Sequence, residues 1–242
     1  MKKEIIKVHQ PKPAKNRRQF LKLGGLAIAG TGLLMACNND DDQGSMMPPE
    51  GGVFDLGEGD LGVLNYAYAL EQLEADFYTK VVNSFYANIS DVERQVLTDL
   101  YYHEVNHRDF FKTAITAAVE GNVDLVLPTL EFDYGNLDFG NRDQVLATAR
   151  TLEDTGVAAY NGAGRLISNP DYLVLAGKIV SVEARHASAI RTLINPGSAD
   201  FAGDDVVTVD TGLDLALDPS DILAAVADTG FVKTEFTANS LP

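Results

Sequence analysis

The sequence predicts an all-α fold: four long helices packed as a bundle, with one long connection in the middle. Three observations predict it. Apolar residues recur at helical spacing through four segments of about 25 to 30 residues each. The segments open on recognisable helix caps, and the connections between them run short, long, short. Each segment measures about 40 Å at 1.5 Å per residue, and helices of that length without heptad repeats pack side by side. Hydrophobic residues make up 45% of the 242, enough to build a core and too many for a disordered chain.

Taken in order, residues 1–36 read as a signal peptide and not as part of the fold. Lys2, Lys3, Lys7, Lys12, Lys15, Arg17, Arg18 and Lys22 stand against a single acid, Glu4. The fourteen apolar residues 23–36 that follow fall short of the roughly twenty needed to cross a membrane and suit a signal-peptide core. The run NRRQFLK, Asn16 to Lys22, resembles the twin-arginine export signal of bacteria. Leu34-Met35-Ala36-Cys37 resembles a lipobox, in which the cysteine is lipidated and becomes the new N-terminus. Together they imply an exported protein of the cell envelope, on the periplasmic or surface side of a bacterial membrane. The membrane would be touched only through lipid on Cys37. Residues 37–60, rich in Asp, Gly and Pro without an apolar period, read as a flexible tether.

The bundle is expected over 61–195. The first helix, 61–86, carries Leu64, Ala67, Leu70, Phe77 and Val81 on one stripe. The second opens with Ser90-x-x-Glu93, a capping box in which each side chain satisfies a free backbone donor. It runs through Leu97, Leu100 and Phe111 to about Glu120 and stops at Gly121. The third starts near Asn141 and includes Val145, Leu146, Ala149 and Leu152. Gly156, Gly162 and Gly164 each cost it about 1 kcal/mol relative to alanine, so either a close neighbour requires them or the helix ends early. The fourth begins at Asn169-Pro170 and ends before Asn195-Pro196-Gly197. Short connections make two antiparallel hairpins. The stretch from Gly121 to Gly140 is long enough to travel the length of the bundle. Residues 196–242 form an acidic extension with a short helix after Asp218-Pro219, read as a cover on the bundle.

Charge narrows the partners. Lys and Arg number 19 against 35 Asp and Glu, a net charge of −16. Without the eight basic residues and one acidic residue of positions 1–36, 11 basic residues face 34 acidic ones, a net charge of −23. Such a surface repels phosphate backbones and anionic headgroups, which argues against nucleic acid, and it suits metal cations or basic partners. Cys37 is the only cysteine, which excludes internal disulfides and zinc sites built on several thiolates.

The chemistry lies in glutamates and histidines. After residue 36 the chain has three histidines, and two of them follow a glutamate by three residues: Glu104-x-x-His107 and Glu183-x-x-His186. At i and i+3 both side chains leave one face of a helix and offer an oxygen and a nitrogen to one point. Glu74 precedes Glu104 by 30 residues, and Glu153 precedes Glu183 by 30, so a Glu, Glu, His triplet recurs at an offset of 79. Four ionised carboxylates on apolar stripes are prohibitively costly unless something balances them, and two divalent cations cancel their charge. Carboxylates with some imidazole suit iron or manganese, with zinc left open. Glu71, one turn before Glu74, is an alternative that the offset disfavours. His103 and Tyr78, one turn from His107 and Glu74, are candidates for hydrogen bonds behind the metal-facing groups.

These residues resemble the ferritin-like di-metal carboxylate superfamily, whose pattern is one Glu from each of two helices and a Glu-x-x-His from each of the other two. The runs LNYAYALEQLEADFY, LEDTGVAAY, VEARHASAI and DPSDILAAV resemble its bacterial and plant branch that includes the desiccation-related proteins. The resemblance implies Glu74 and Glu153 as single-helix ligands and Glu104, His107, Glu183 and His186 as motif ligands. It implies two divalent metal ions, iron before manganese, and redox chemistry with dioxygen or peroxide, as in a di-metal oxidoreductase. The alternative is a non-catalytic metal-binding or structural stress protein of the envelope. A storage cage is a third reading, disfavoured because a lipid tether and a long C-terminal extension obstruct a closed shell. The oligomeric state stays open.

Overall fold

The computed structural model describes residues 52–242; the expected signal peptide, Cys37 and most of the tether lie outside the described residues. Four long helices are present: α1 Gly59–Asn83, α2 Asp91–Ala118, α3 Arg142–Gly164 and α4 Pro170–Ile194. A fifth, α5 Pro219–Thr229, lies in the C-terminal extension, and two short strands, β1 Phe54–Asp55 and β2 Phe236–Thr237, pair in parallel. The fold is the expected all-α bundle. Helix α1 packs on α2 and α3 on α4, and the two hairpins meet through α1 with α3 and α2 with α4. Among the described residues no helix is long and apolar enough to cross a membrane.

The caps explain where the helices start. The Ser90 hydroxyl accepts from the Glu93 backbone N–H at 3.2 Å while Glu93 accepts from the Ser90 N–H at 2.9 Å, so two otherwise unpaired donors are satisfied. The Asn141 side chain accepts from Asp143 and Gln144, and Asn169 accepts from Asp171 ahead of Pro170 in the first turn. Arg142, at the start of α3, donates to Glu93 at the start of α2 and to the Leu193 carbonyl at the end of α4. The starts of α2 and α3 are therefore neighbours, and the crossover between them must run the full length of the bundle.

Buried amides on α1 hold that crossover down. Asn65 donates to the Leu125 carbonyl and accepts from Leu127 N–H. Two turns on, Gln72 donates to the Pro128 carbonyl and accepts from Leu130 N–H. The crossover thus covers the outer side of α1, and 17 of that helix's 25 residues are buried, which makes α1 the axis of the molecule rather than a surface helix. By contrast α2 buries one narrow stripe, Leu97, Leu100, Glu104, Phe111 and Ile115 among it.

One expectation needs correction. The tether ends before residue 60: Phe54–Asp55 pairs with Phe236–Thr237, and Leu56 is fully buried. A two-residue strand is too short to leave a period in the sequence. Of the two readings left open for the glycines of α3, the close neighbour holds, and the helix runs on to Gly164. A Cβ at Gly162 would lie 1.7 Å from the Leu217 carbonyl oxygen, because the C-terminal extension crosses α3 there and its Leu217 N–H donates to the Ala158 carbonyl. Gly156 faces Glu74, whose Oε1 would sit 3.1 Å from an added Cβ. The extension is also anchored by Arg191, almost wholly buried, which forks onto Asp154 of α3 and Asp205 of the extension at 2.7–3.0 Å.

Candidate metal centre

Each helix brings one glutamate to the middle of the bundle. Glu71 comes from α1, Glu104 from α2, Glu153 from α3 and Glu183 from α4, and all four are fully buried. The Glu-x-x-His spacing then sets the imidazoles one turn further along α2 and α4. His107 Nδ1 lies 2.9 Å from Glu183 Oε1, 3.4 Å from Glu104 Oε2 and 3.5 Å from Glu71 Oε2. His186 Nδ1 lies 2.7 Å from Glu104 Oε1, 3.4 Å from Glu153 Oε2 and 3.5 Å from Glu183 Oε2. The result is two quartets whose donor atoms all fall within 4.8 Å of one another: Glu71, Glu104, His107, Glu183, and Glu104, Glu153, Glu183, His186. Glu104 and Glu183 belong to both, with one oxygen turned to each imidazole.

The outer contacts fix which atoms remain free. The Tyr78 hydroxyl of α1 donates to Glu153 Oε1 on α3 at 2.6 Å, and the Tyr160 hydroxyl of α3 donates to Glu71 Oε1 on α1. This reciprocal pair requires α1 and α3 to run antiparallel and takes one oxygen of each outer carboxylate. His103 Nδ1 shares a hydrogen bond of 2.9 Å with His186 Nε2, which turns the other nitrogen of His186 inward. At this centre, eight buried atoms of the described residues are left without a hydrogen-bond partner: Glu71 Oε2, Glu153 Oε2, both oxygens of Glu104 and of Glu183, and Nδ1 of His107 and His186. They approach one another without the alignment of hydrogen bonds. Eight such orphans at one point is far from the rule that buried polar groups are paired. The set divides into three oxygens and a nitrogen on each side, a donor chemistry that fits two divalent cations.

The electrostatics agree. Burial pushes the Glu104 carboxyl up to about 8, with the Glu183 charge adding to it, and pushes Glu153 up to about 7 against the pull of His186. Burial also opposes charge on His107, but its contacts with Glu104, Glu183 and Glu71 outweigh that and raise it to about 12. His186 is raised in the same way by Glu153, Glu104 and Glu183 against its burial. Glu183, between two imidazoles, is held down at about 2 in spite of burial. Burial, and then the other histidines, lower His103. The raised Glu104, Glu153, His107 and His186 all favour holding a proton where a divalent cation would otherwise balance the charge.

Of the residues singled out in the sequence, Glu104, His107, Glu153, Glu183 and His186 come together here, and Tyr78 and His103 stand behind them. Glu74 does not join either quartet; Glu71 occupies the position the offset assigned to it. Glu74 is buried one turn away against the bare backbone at Gly156, its carboxyl raised well above the usual range by burial and then by Glu104, Glu153, Glu183 and Glu71. Tyr160 was not anticipated. The signal that finds both is Glu-x6-Tyr, present at Glu71/Tyr78 and again at Glu153/Tyr160 at an offset of 82 rather than 79.

Fold and site together define a four-helix carboxylate–imidazole bundle. The model of the ferritin-like domain family matches residues 59–196, which take in all four helices and every residue of both quartets, and the chain belongs to that family. Compared with curated proteins, the chain finds no significant match.

Proposed function

We propose that this chain is an exported, lipid-anchored protein whose bundle holds two metal ions, iron or manganese, for redox chemistry with dioxygen or peroxide. The observation that carries the reading is the set of eight buried, unpartnered donor atoms shared through Glu104 and Glu183. Held by these residues, two ferrous ions would supply the two electrons that, with two protons, reduce dioxygen to hydrogen peroxide or hydrogen peroxide to two waters. Glu104 and Glu183 span both positions. Glu71 and Glu153 close the two ends, each steadied by a tyrosine on the opposite helix, and His107 and His186 complete one position each. The apolar stripe around them limits water and strengthens each electrostatic contact. Export and lipidation rest on the twin-arginine-like run and on Cys37 alone.

Bound metal, measured by mass spectrometry on the purified chain and on a Glu104→Ala/Glu183→Ala double variant, tests the centre. About two iron or manganese ions per chain, lost in the variant, are expected. No metal after anaerobic reconstitution with ferrous iron overturns the reading. Turnover of dioxygen or peroxide separates an oxidoreductase from a metal-binding stress protein of the desiccation-related branch. Incorporation of labelled fatty acid, lost in Cys37→Ala, tests the anchor.

A further inference from the structure

All four helices border an apolar cavity of about 30 Å3 at the end of the bundle where α1 and α4 begin and α2 and α3 finish. No residue of either quartet lines it, but its inner wall is made by their neighbours on the Glu71–His107 side. Leu70 adjoins Glu71, Phe111 lies one turn beyond His107, Ile179 lies one turn before Glu183, and Tyr160 is the residue whose hydroxyl holds Glu71. The outer wall includes Ala114 and Ala176, which are only partly buried, so the cavity leads from near the surface to the buried core.

Its chemistry selects a guest. The space exceeds the roughly 10–15 Å3 that one water needs, but a buried water also needs two to four polar partners. The walls are aliphatic and aromatic carbon. One buried hydroxyl without a partner, that of Tyr66, belongs to a lining residue, and one is too few. Hydrogen peroxide, with two hydroxyl groups, forfeits still more hydrogen bonds on entering. A diatomic molecule that makes none forfeits nothing.

We propose that this cavity admits and holds dioxygen beside the Glu71–His107 side of the centre, and that dioxygen, not peroxide, is the oxidant reaching the metals by this route. The assignment rests on the metal reading above and goes further by naming the oxidant and the side from which it arrives.

Xenon, an apolar probe of similar size, tests the cavity on the metal-free chain, so the result does not depend on metal loading. Crystals under xenon pressure are expected to show xenon between Leu70, Phe111 and Ile179, and to lose it in Ala176→Phe. Ala114→Leu, at the partly exposed mouth, is a second blocking variant should Ala176→Phe not fold. In ferrous-loaded protein the blocking variant is expected to slow oxidation by dioxygen about tenfold while oxidation by peroxide changes less than about twofold. An absence of xenon in the unsubstituted chain overturns the proposal, and so does an equal slowing of both oxidants. Xenon bound in a chain that takes up no metal overturns the metal reading and, with it, the assignment of dioxygen as oxidant.

Discussion

Glu71 and Glu74 leave the same side of α1 three residues apart, yet their surroundings differ. Glu71 has one oxygen on Tyr160 and the other free at the centre, whereas Glu74 lies against Gly156. Substitution should separate them: Glu71→Gln is expected to lower bound metal from about two ions per chain to about one, and Glu74→Gln to leave two, as read by metal analysis. Metal uptake at pH 7 should also release protons, because the His107 and His186 imidazoliums and the Glu104 carboxyl must lose theirs to ligate. Calorimetric titration in buffers of different ionisation enthalpy measures that release, and uptake independent of buffer and pH contradicts it. The Glu-x-x-His pairs were legible in the sequence because a single helix fixes their spacing. The choice on α1 was not, because it depends on how the two hairpins are phased. Seven residues, 84–90, join α1 to α2, and five, 165–169, join α3 to α4. Glu71 and Glu104 are accordingly 33 residues apart, Glu153 and Glu183 only 30, a difference close to one helical turn that a constant offset cannot detect.

Among the elements, α3 is the one most constrained from outside. The C-terminal extension lies so close that Gly162 has no room for a methyl group, and Leu217 N–H completes the hydrogen bonding of α3 at Ala158. Gly162→Ala is expected to push the extension off α3 and cost about 1–3 kcal/mol in denaturant unfolding, whereas Gly177→Ala, on open surface of α4, should stabilise slightly. In the sequence those glycines looked like a weakness of the third helix. Their reason lies some 55 residues away, in a loop crossing without periodicity of its own, and no local pattern announces it. The caps were legible for the opposite reason: Ser90 and Glu93, or Asn169 and Pro170, act on their own backbone within one turn.

At the scale of the molecule, the centre sits where all four helices meet, so its occupancy bears on the stability of the whole bundle. Removing metal with a chelator is expected to lower the melting temperature, and restoring it at 100 times its Kd should return about 2.7 kcal/mol. A melting temperature indifferent to metal contradicts a core site. The reciprocal tyrosines have one more consequence. They mark an approximate twofold axis through the centre, exchanging Glu71 with Glu153, Glu104 with Glu183 and His107 with His186. The axis holds for the donor atoms and fails immediately outside them. His186 is backed by His103, while His107 is partly open to solvent and shares its quartet with Glu71, which Tyr160 of the cavity wall holds. Two positions alike in donor atoms are thus unlike in rigidity and access, and a metal titration is expected to fill them one after the other, the His186 side first, leaving the more open position to meet whatever arrives from outside.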